Sequence, residues 1–523
     1  MNDIDYAIAA YIEERVDGRY DEVIKPEGRW EIFTQLSELR TSLFNWYEFP
    51  EGARILQIYP GYGAVTGSFV RRGLSVTAVE PDSFKATCIK RRFESFPNLS
   101  VDNMQLEEFF ACNDVLYDYI VLVDVLKSGK GGQRLIESLA TALKPSGKLL
   151  IANPNKFGLR YLCGNGEQWS HVPFAGLDGD GTLHFSRSEL AGLVRESGFG
   201  WVKFFYPLPT HTITQVVYTD GHLPQANIGE RVSFYGDRKD EELVADERKL
   251  YREAVENKAF PFLANSFFVE CSRTDNLSDV TYATVTTDRG FESASATVIR
   301  EGRVDKFCVY PEGRLSIDRL YANAAMLKQR GLQVVPHKLT APGVVRMPFV
   351  NAPTLSDVLR EAVEKGDGAR FVALFDRLWD HILSSSDDSS TNAFPEAGDL
   401  DYGPILSTAL IDMIPLNCFV YDEDLVFFDQ EFSRTDWPAN YVMFRAIRYT
   451  YSANPMATTV VPLFDLAGRY GIAKPLWDRY EAEENKFINA NRRYDLYQCF
   501  YYKTVWDNKK ISENRKRLAG GES

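Results

Sequence analysis

The sequence predicts an α/β protein, a doubly wound parallel sheet followed by a second domain of α+β type. Three observations carry this prediction. From Arg54 to Asp82 the chain reads RILQIYPGYGAVTGSFVRRGLSVTAVEPD. An apolar run (Ile55 to Ile58) enters a turn with Gly61 and Gly63, a helix-compatible segment follows, and a second apolar run (Leu74 to Val79) ends on Glu80. Strand and helix patterns then keep alternating, as in a parallel sheet with helices on both faces. From about Tyr282 the alternation gives way to short paired strands and long helical periodicity. At 523 residues the chain exceeds one ordinary core, so two or more domains are expected.

Residues 1–50 read as a helical cap, because RWEIFTQLSELRTSLFNWYEF places apolar and aromatic residues at helical spacing. The sheet domain is expected over 51–273. Its strands are RILQIYP, SVTAVE, NLSVDNM, YDYIVLVDVL and GKLLIANPN, and its helices include FKATCIKRRFES and RLIESLATAL. WVKFFYPLP and TITQVVYTD also read as strands. GDRKDEELVADERKLYREAVENKAF reads as a polar helical insertion (about 228–260), and PFLANSFFVECSR as the strand that closes the sheet. TDNLSDVTYA is turn-rich and polar, as expected of a linker. In the second domain, 282–523, SATVIREG and VDKFCVYP form an antiparallel pair, followed by the helix SIDRLYANAAMLKQRG, two further strand-like runs and the helix TLSDVLREAVEKG. The remainder, through KFINANRRYDLYQCFYYKTVW, reads as helical apart from CFVYDEDLVFFDQEF; SSSDDSS (Ser384–Ser390) is a solvated loop.

Composition narrows the function classes. Hydrophobic residues make up 45% and charged residues 25%, as in soluble globular protein. A formal net charge of −14 argues against nucleic acid as the main partner, since phosphates would be repelled. No apolar stretch approaches the roughly 20 residues that span a bilayer. The start, MNDIDYAIAAYIEERVDGRYDEV, lacks the basic-then-apolar order of a secretory signal. Seven cysteines without a CxxC pair read as reduced thiols, so a cytoplasmic location is expected. The basic tail NKKISENRKRLAG suits either a solvated helix end or peripheral contact with anionic lipid. Nothing in the sequence marks an oligomeric state.

Strand, tight glycine turn, helix, strand and acidic tip is the order in which a doubly wound sheet binds a nucleoside-bearing cofactor. A methyl donor and a dinucleotide both fit that order. Thr66, where a dinucleotide fingerprint carries its third glycine, disfavours a dehydrogenase. Residues 51–160 resemble the class I S-adenosylmethionine-dependent methyltransferases, with a Rossmann-like fold, in ILQIYPGYGAVTGSF, VTAVEPD, YDYIVLVDVL and LKPSGKLLIANPN. The last segment is similar to the LKPGG turn and strand of that family. The resemblance implies that Gly61 and Gly63 form the turn at the methionine end of the cofactor and that Glu80 holds the ribose. It also places Asp102 or Met104 near the adenine, and Asp124 facing the cofactor or the acceptor. Gln57 stands where the motif carries an acid and would hydrogen-bond the amino-acid part; Tyr59 stands where the motif carries its first glycine. His171 and His184 flank the loop AGLDGDG and are candidates to reach an acceptor.

Between Leu410 and Phe432 the chain reads LIDMIPLNCFVYDEDLVFFDQEF. Asp412 and Asn417 have the D-x-x-x-x-N spacing of a phosphotransferase loop, and a hairpin then delivers Asp429. About residues 282–450 resemble protein-kinase-like and aminoglycoside-kinase-like phosphotransferases. The resemblance implies that Asp412 orients an attacking hydroxyl, that Asn417 and Asp429 hold Mg2+, and that Lys306 pairs with ATP phosphates. Leu410 replaces the histidine expected ahead of the first aspartate, no glycine-rich phosphate loop precedes Lys306, and the following helix offers Asp318 but no glutamate. The whole order resembles bacterial two-domain proteins of cell-surface polysaccharide biosynthesis. It implies an S-adenosylmethionine-dependent methyltransferase acting on a small molecule, a sugar or a lipid-linked glycan. An ATP-dependent sugar kinase, a bifunctional enzyme and a non-catalytic binding scaffold are the alternatives.

Overall fold

The chain divides into two compact units, Met1–Asp288 with the stretch from Tyr494 onward, and Arg289–Arg493. The computed structural model describes residues 2–15, 19–167, 172–177, 181–235, 243–395, 400–421, 424–493 and 508–520. His171, Cys499, the middle of the AGLDGDG loop and the helix predicted across 494–506 lie outside the described residues.

The first unit is built on nine strands among the described residues. They are β1 (Arg54–Ile58), β2 (Ser75–Val79), β3 (Leu99–Asp102), β4 (Tyr117–Val123), β5 (Leu143–Pro154), β6 (Trp201–Pro209), β7 (Thr214–Thr219), β8 (Ser266–Ser272) and β9 (Val280–Val285). Their order in the sheet is β3-β2-β1-β4-β5-β8-β6-β7-β9. The five strands from β3 to β5 run parallel, and β8 lies antiparallel between β5 and β6. Near-continuous apolar runs explain this: β1 is buried after its first residue and β8 throughout, as strands covered on both faces must be. Two expectations change. PFLANSFFVECSR enters the sheet between earlier strands, and the C-terminal part of the predicted linker is β9, paired with β7. Of the polar insertion, 236–242 lie outside the described residues; Glu247–Glu256 is a helix that buries Tyr251 and Ala254 on one face.

The cap is helical, with Asp3–Glu14, Trp30–Leu36, a 3-10 turn at Glu38–Thr41 and Ser42–Asn45. Asn2 and Asp5 form a reciprocal capping box at its start. Two arginines dock this segment, Arg92 from the interior and Arg72 from the surface. Arg92, from the helix Ser83–Arg92, donates to the carbonyls of Gln35 (2.8 Å), Leu36 (3.2 Å) and Tyr62 (2.9 Å). Arg72 donates to the carbonyls of Tyr47 and Phe44. Burial pushes the Arg92 guanidinium down to about 10, so it remains charged at neutral pH. Around them Phe44, Trp46, Tyr47 and Phe49 pack edge-on or tilted against Phe69, Phe205 and Phe268.

The second unit opens with the hairpin β10 (Ser295–Arg300) and β11 (Arg303–Cys308), continues with a helix (Arg314–Gln329), and adds β12 (Lys338–Ala341) and β13 (Val344–Pro348). These four strands lie antiparallel in the order β12-β13-β11-β10. Helices Leu355–Glu364 and Gly368–Ser384 lead to β14 (Ile405–Leu410), the hairpin β15 (Cys418–Tyr421) and β16 (Asp424–Phe427), and β17 (Ser433–Pro438), which pairs with β14. Helices Ala439–Ala453 and Lys474–Asn491 complete a large apolar core. Inside it Glu484, fully buried, accepts from Arg445 Nε (2.9 Å), Tyr441 Oη (2.6 Å) and Tyr449 Oη (2.7 Å). No helix among the described residues is long and apolar enough to cross a membrane.

Two stability outcomes follow from these buried charges. Arg92→Leu leaves three carbonyls without their donor and is expected to cost about 3 kcal/mol or more, read as a lowered urea midpoint. Burial alone would raise the Glu484 carboxyl, but Arg445 and the two tyrosine hydroxyls outweigh it and hold it below its ordinary 4.5. Its contribution is therefore present above pH 4.5 and lost as pH falls through the depressed value. Glu484→Gln should start less stable at neutral pH, yet lose less stability than wild type on acidification to about pH 3.

Candidate functional site

A cavity of about 510 Å³ lies at the carboxyl ends of β1 and β4, within the usual size range of ligand sites. The sheet supplies Gln57, Tyr59, Gly61 and Asp124; the cap supplies Asp5 and Arg40 among others. Gly61 (φ +62°) and Gly63 (φ +76°) are both left-handed, and a Cβ on Gly63 would stand 2.8 Å from the Phe93 ring. Tyr59 keeps the left-handed backbone (φ +49°) although it is not glycine, while its N–H donates to the Val79 carbonyl at 2.9 Å. That conformation costs an L-residue roughly 1–2 kcal/mol, and the strained residue lines the cavity. Asp124, also left-handed (φ +56°), lines it too. Such strain collects at working sites.

The predicted residues divide. Gln57, 2% exposed, accepts from Thr66 Oγ1 at 2.8 Å and reaches the cavity wall. Glu80 is buried and turns its carboxylate onto backbone, accepting from the N–H of Gly61 (3.0 Å) and of Asp82 (3.1 Å). Burial raises its carboxyl above the ordinary value, against the pull of those two N–H groups. Glu80 therefore braces the glycine turn. Asp102, at the end of β3, takes a weak bond from Ser100 Oγ (3.5 Å), and Met104 packs against the core. Glu80, Asp102 and Met104 are not among the residues that line the cavity.

Asp124 stands on the tip of β4, and His211 Nε2 lies 2.7 Å from its Oδ1. Burial works against the Asp124 carboxylate, but His211 and Arg40 outweigh it and hold the group below its ordinary value. Arg40 is 6% exposed; its Nη1 donates to the Thr212 carbonyl (2.8 Å), and its Nε is buried with no hydrogen-bond partner. His184 is buried with its Nε2 unpartnered, and burial holds its imidazole below the ordinary value. Sequence reasoning missed Arg40 and His211. Neither stands in a recognisable spacing, and 170 or so positions separate them in the chain, although the fold brings His211 onto Asp124 and Arg40 onto the carbonyl of neighbouring Thr212.

The second unit holds a cavity of about 360 Å³ lined by Asp412, Asn417, Asp429, Glu431 and Arg445 among others. Lys306, on β11 and buried, forms an ion pair with Asp429 and lies 3.7 Å from Glu431. Burial alone would lower its ammonium, but Asp429 and Glu431 outweigh burial and hold it above the ordinary value. Glu431 also binds Arg289 (2.8 Å) and accepts from Ser316 Oγ (2.6 Å), so it fills the place for which the helix offered no glutamate. Its signal was the D-Q-E spacing after β16. Asp412 is committed elsewhere: Oδ2 accepts from the N–H of Glu431 (3.1 Å) and Phe432 (2.8 Å), and Oδ1 from Arg445 Nη1 (3.1 Å). Burial raises its carboxyl despite Arg445. Asn417 turns its amide onto the carbonyls of Asp412 (3.2 Å) and Asp429 (3.5 Å). As arranged, Asp429 is engaged by Lys306 and the Asn417 amide by two carbonyls.

Residues 29–203 match the family model described as a methyltransferase domain. A search of curated proteins finds no match. Similar solved structures include an S-adenosylmethionine-dependent methyltransferase from Thermotoga maritima, with 15% identity over 50% of this chain and 100% of that one and a TM-score of 0.29. Another, from Archaeoglobus fulgidus, shows 15% identity over 48% and 93%, with a TM-score of 0.29. The N-terminal domain of EvdMO1 with S-adenosylhomocysteine bound shows 18% identity over 34% and 77%, with a TM-score of 0.26. The family match thus places a methyltransferase domain over residues 29–203, within the first unit.

Proposed function

We propose that the chain transfers the methyl group of S-adenosylmethionine to a hydroxyl of a sugar or lipid-linked glycan. The observation that carries this reading is the cavity over the glycine turn, where two non-glycine residues hold left-handed backbone and two opposite charges, the buried Arg40 and the part-buried Asp124, line the same cavity. An α-amino acid carries the complementary pair of charges. The lining residues therefore fit the amino-acid end of such a cofactor: Gly61 admits it closely and Gln57 with Asp124 would meet the methionine end, whereas Glu80 and Asp102, outside the lining, would serve the ribose and adenine only by turning toward it. When bound, the sulfonium supplies an electrophilic methyl carbon. The chain's own part is to position the acceptor oxygen and exclude water, which can account for much of the acceleration of an in-line displacement. The cap supplies the exclusion, since Asp5, Ile8 and Thr34 wall the cavity on the side away from the strands.

The sugar acceptor is supported by the second unit, whose Lys306, Asn417 and Asp429 stand in the order of phosphotransferases that act on sugar hydroxyls. A second reading, an ATP-dependent sugar kinase or bifunctional enzyme, is favoured by Lys306 reaching Asp429 and Glu431 beside a cavity. Against it stands the commitment of Asp412 to Arg445 and backbone, which favours a third reading for this unit, a binding scaffold.

Isothermal titration separates them. S-adenosylmethionine is expected to bind wild type, and Glu80→Ala, which unbraces the turn and removes the proposed ribose partner, to weaken it at least tenfold, about 1.4 kcal/mol. No binding to wild type would sink the methyl-donor reading. Binding of Mg-ATP that Asp429→Ala abolishes would raise the kinase reading over the scaffold; Mg-ATP inert toward both proteins would do the reverse.

A further inference from the structure

Gln57 lacks the carboxylate that the glycine motif carries on β1, so the ammonium of the proposed cofactor has no charge to meet there. β4 runs beside β1 with Val121 opposite Gln57, and Asp124 stands three residues beyond Val121, on the tip. We propose that Asp124, held in place by His211, supplies the negative charge missing at Gln57, and that Arg40 supplies the opposite charge, so that the two together receive an α-amino-acid zwitterion. The inference rests on the methyl-donor reading and names how its polar end is recognised.

The geometry is specific. Oδ1 of Asp124 is taken by His211 Nε2, while among the described residues no protein donor reaches its other oxygen, on a side chain 15% accessible in the cavity wall. His211 is almost fully buried, and its Nδ1 has no partner. His211 Nε2 thus fixes one carboxylate oxygen of Asp124 and leaves the other to face the cavity. The left-handed φ of Asp124 is a strain that the pair offsets. Across the cavity wall, Arg40 gives one nitrogen to the Thr212 carbonyl and leaves Nε buried and unmatched. A buried guanidinium short of acceptors is costly and favours an incoming carboxylate. The 3-10 turn that carries Arg40 belongs to the cap, so the cap and the sheet each contribute one charge. His211 is a positioning residue here: it meets Asp124 and is absent from the cavity wall.

The test compares S-adenosylhomocysteine, which carries the amino acid, with methylthioadenosine, which lacks it, by isothermal titration on the full chain. Asp124→Asn and Arg40→Met should each weaken S-adenosylhomocysteine at least tenfold and leave methylthioadenosine unchanged, which also shows the variants folded. His211→Phe should reproduce the Asp124→Asn loss, and His211→Gln, which keeps an N–H donor, should recover most of it. Gln57→Glu placed in the Asp124→Asn background should restore affinity, because it returns the charge to β1. On wild type alone, S-adenosylhomocysteine without its α-amino group should bind at least tenfold more weakly than the intact molecule. Equal losses for both ligands in Asp124→Asn, or equal affinity of wild type for the intact and deaminated molecules, would overturn the assignment while leaving the methyl-donor reading intact. Failure of wild type to bind either adenosyl ligand overturns both.

Discussion

Arg92 sets the condition on which the rest of the first unit depends. Its guanidinium, 1% exposed, reaches three carbonyls, two on the cap and one just after Gly61. A charge this deeply buried is tolerated only when most of its donors are matched; here both terminal nitrogens find carbonyls, while Nε has no partner. The chain can satisfy it only by laying the segment Trp30–Leu36 against the glycine turn. That placement creates the cavity, because the sheet tips alone would leave Gln57, Tyr59 and Asp124 open to solvent. The Tyr20 ring, 5.1 Å from the guanidinium carbon, covers it further. Docking and site formation are one event, driven by unmet hydrogen bonds as well as by apolar area.

Within that frame the cavity concentrates what folding otherwise avoids. Tyr59 and Asp124 hold left-handed backbone and Arg40 has an unmatched nitrogen, while behind the wall His211 carries an unpartnered ring nitrogen. Each is a small destabilisation that the surrounding packing over-determines. The second unit handles its charges differently. Arg445 stands between Asp412 and Glu484, Lys306 pairs with Asp429, and Arg289 pairs with Glu431, so its cavity is lined by acids and bases already matched to one another. A site of matched charges is stable and has little left to offer a polyanion.

The legible parts of the sequence were the local ones. The strand–turn–helix–strand order around Gly61 and Gly63 predicted the parallel half of the sheet, because each element shows its own apolar period and its own turn residues. Asp124 could be named because it directly follows an apolar run. The insertion of β8 between β5 and β6 could not be read, since a fully buried strand looks the same in either place. Glu80 was legible as the acidic tip, but its turn toward the Gly61 N–H depends on how tightly the loop closes. Arg40 and His211 left no local pattern at all; His211 meets Asp124, and Arg40 the Thr212 carbonyl, only after the cap docks and β6 returns. Likewise Asp412 looked like a catalytic aspartate by spacing, and the arginine that occupies it lies 33 residues on, across a helix face.

The helix Asp3–Glu14 forms the outermost wall of the cavity, with Asp5 and Ile8 facing inward. It is attached by a Tyr62–Asp5 hydrogen bond (2.6 Å), by exposed ion pairs such as Arg91–Glu13, and by Ile8 and Ile12 in a small apolar cluster. Exposed pairs contribute little, whereas each buried isoleucine contributes about 1.5–3 kcal/mol. Lifting this wall therefore costs far less than unfolding the unit, and a trapped molecule would leave by local fraying of the helix. How long such a molecule stays is then set largely by the packing of Ile12, a side chain that it never meets.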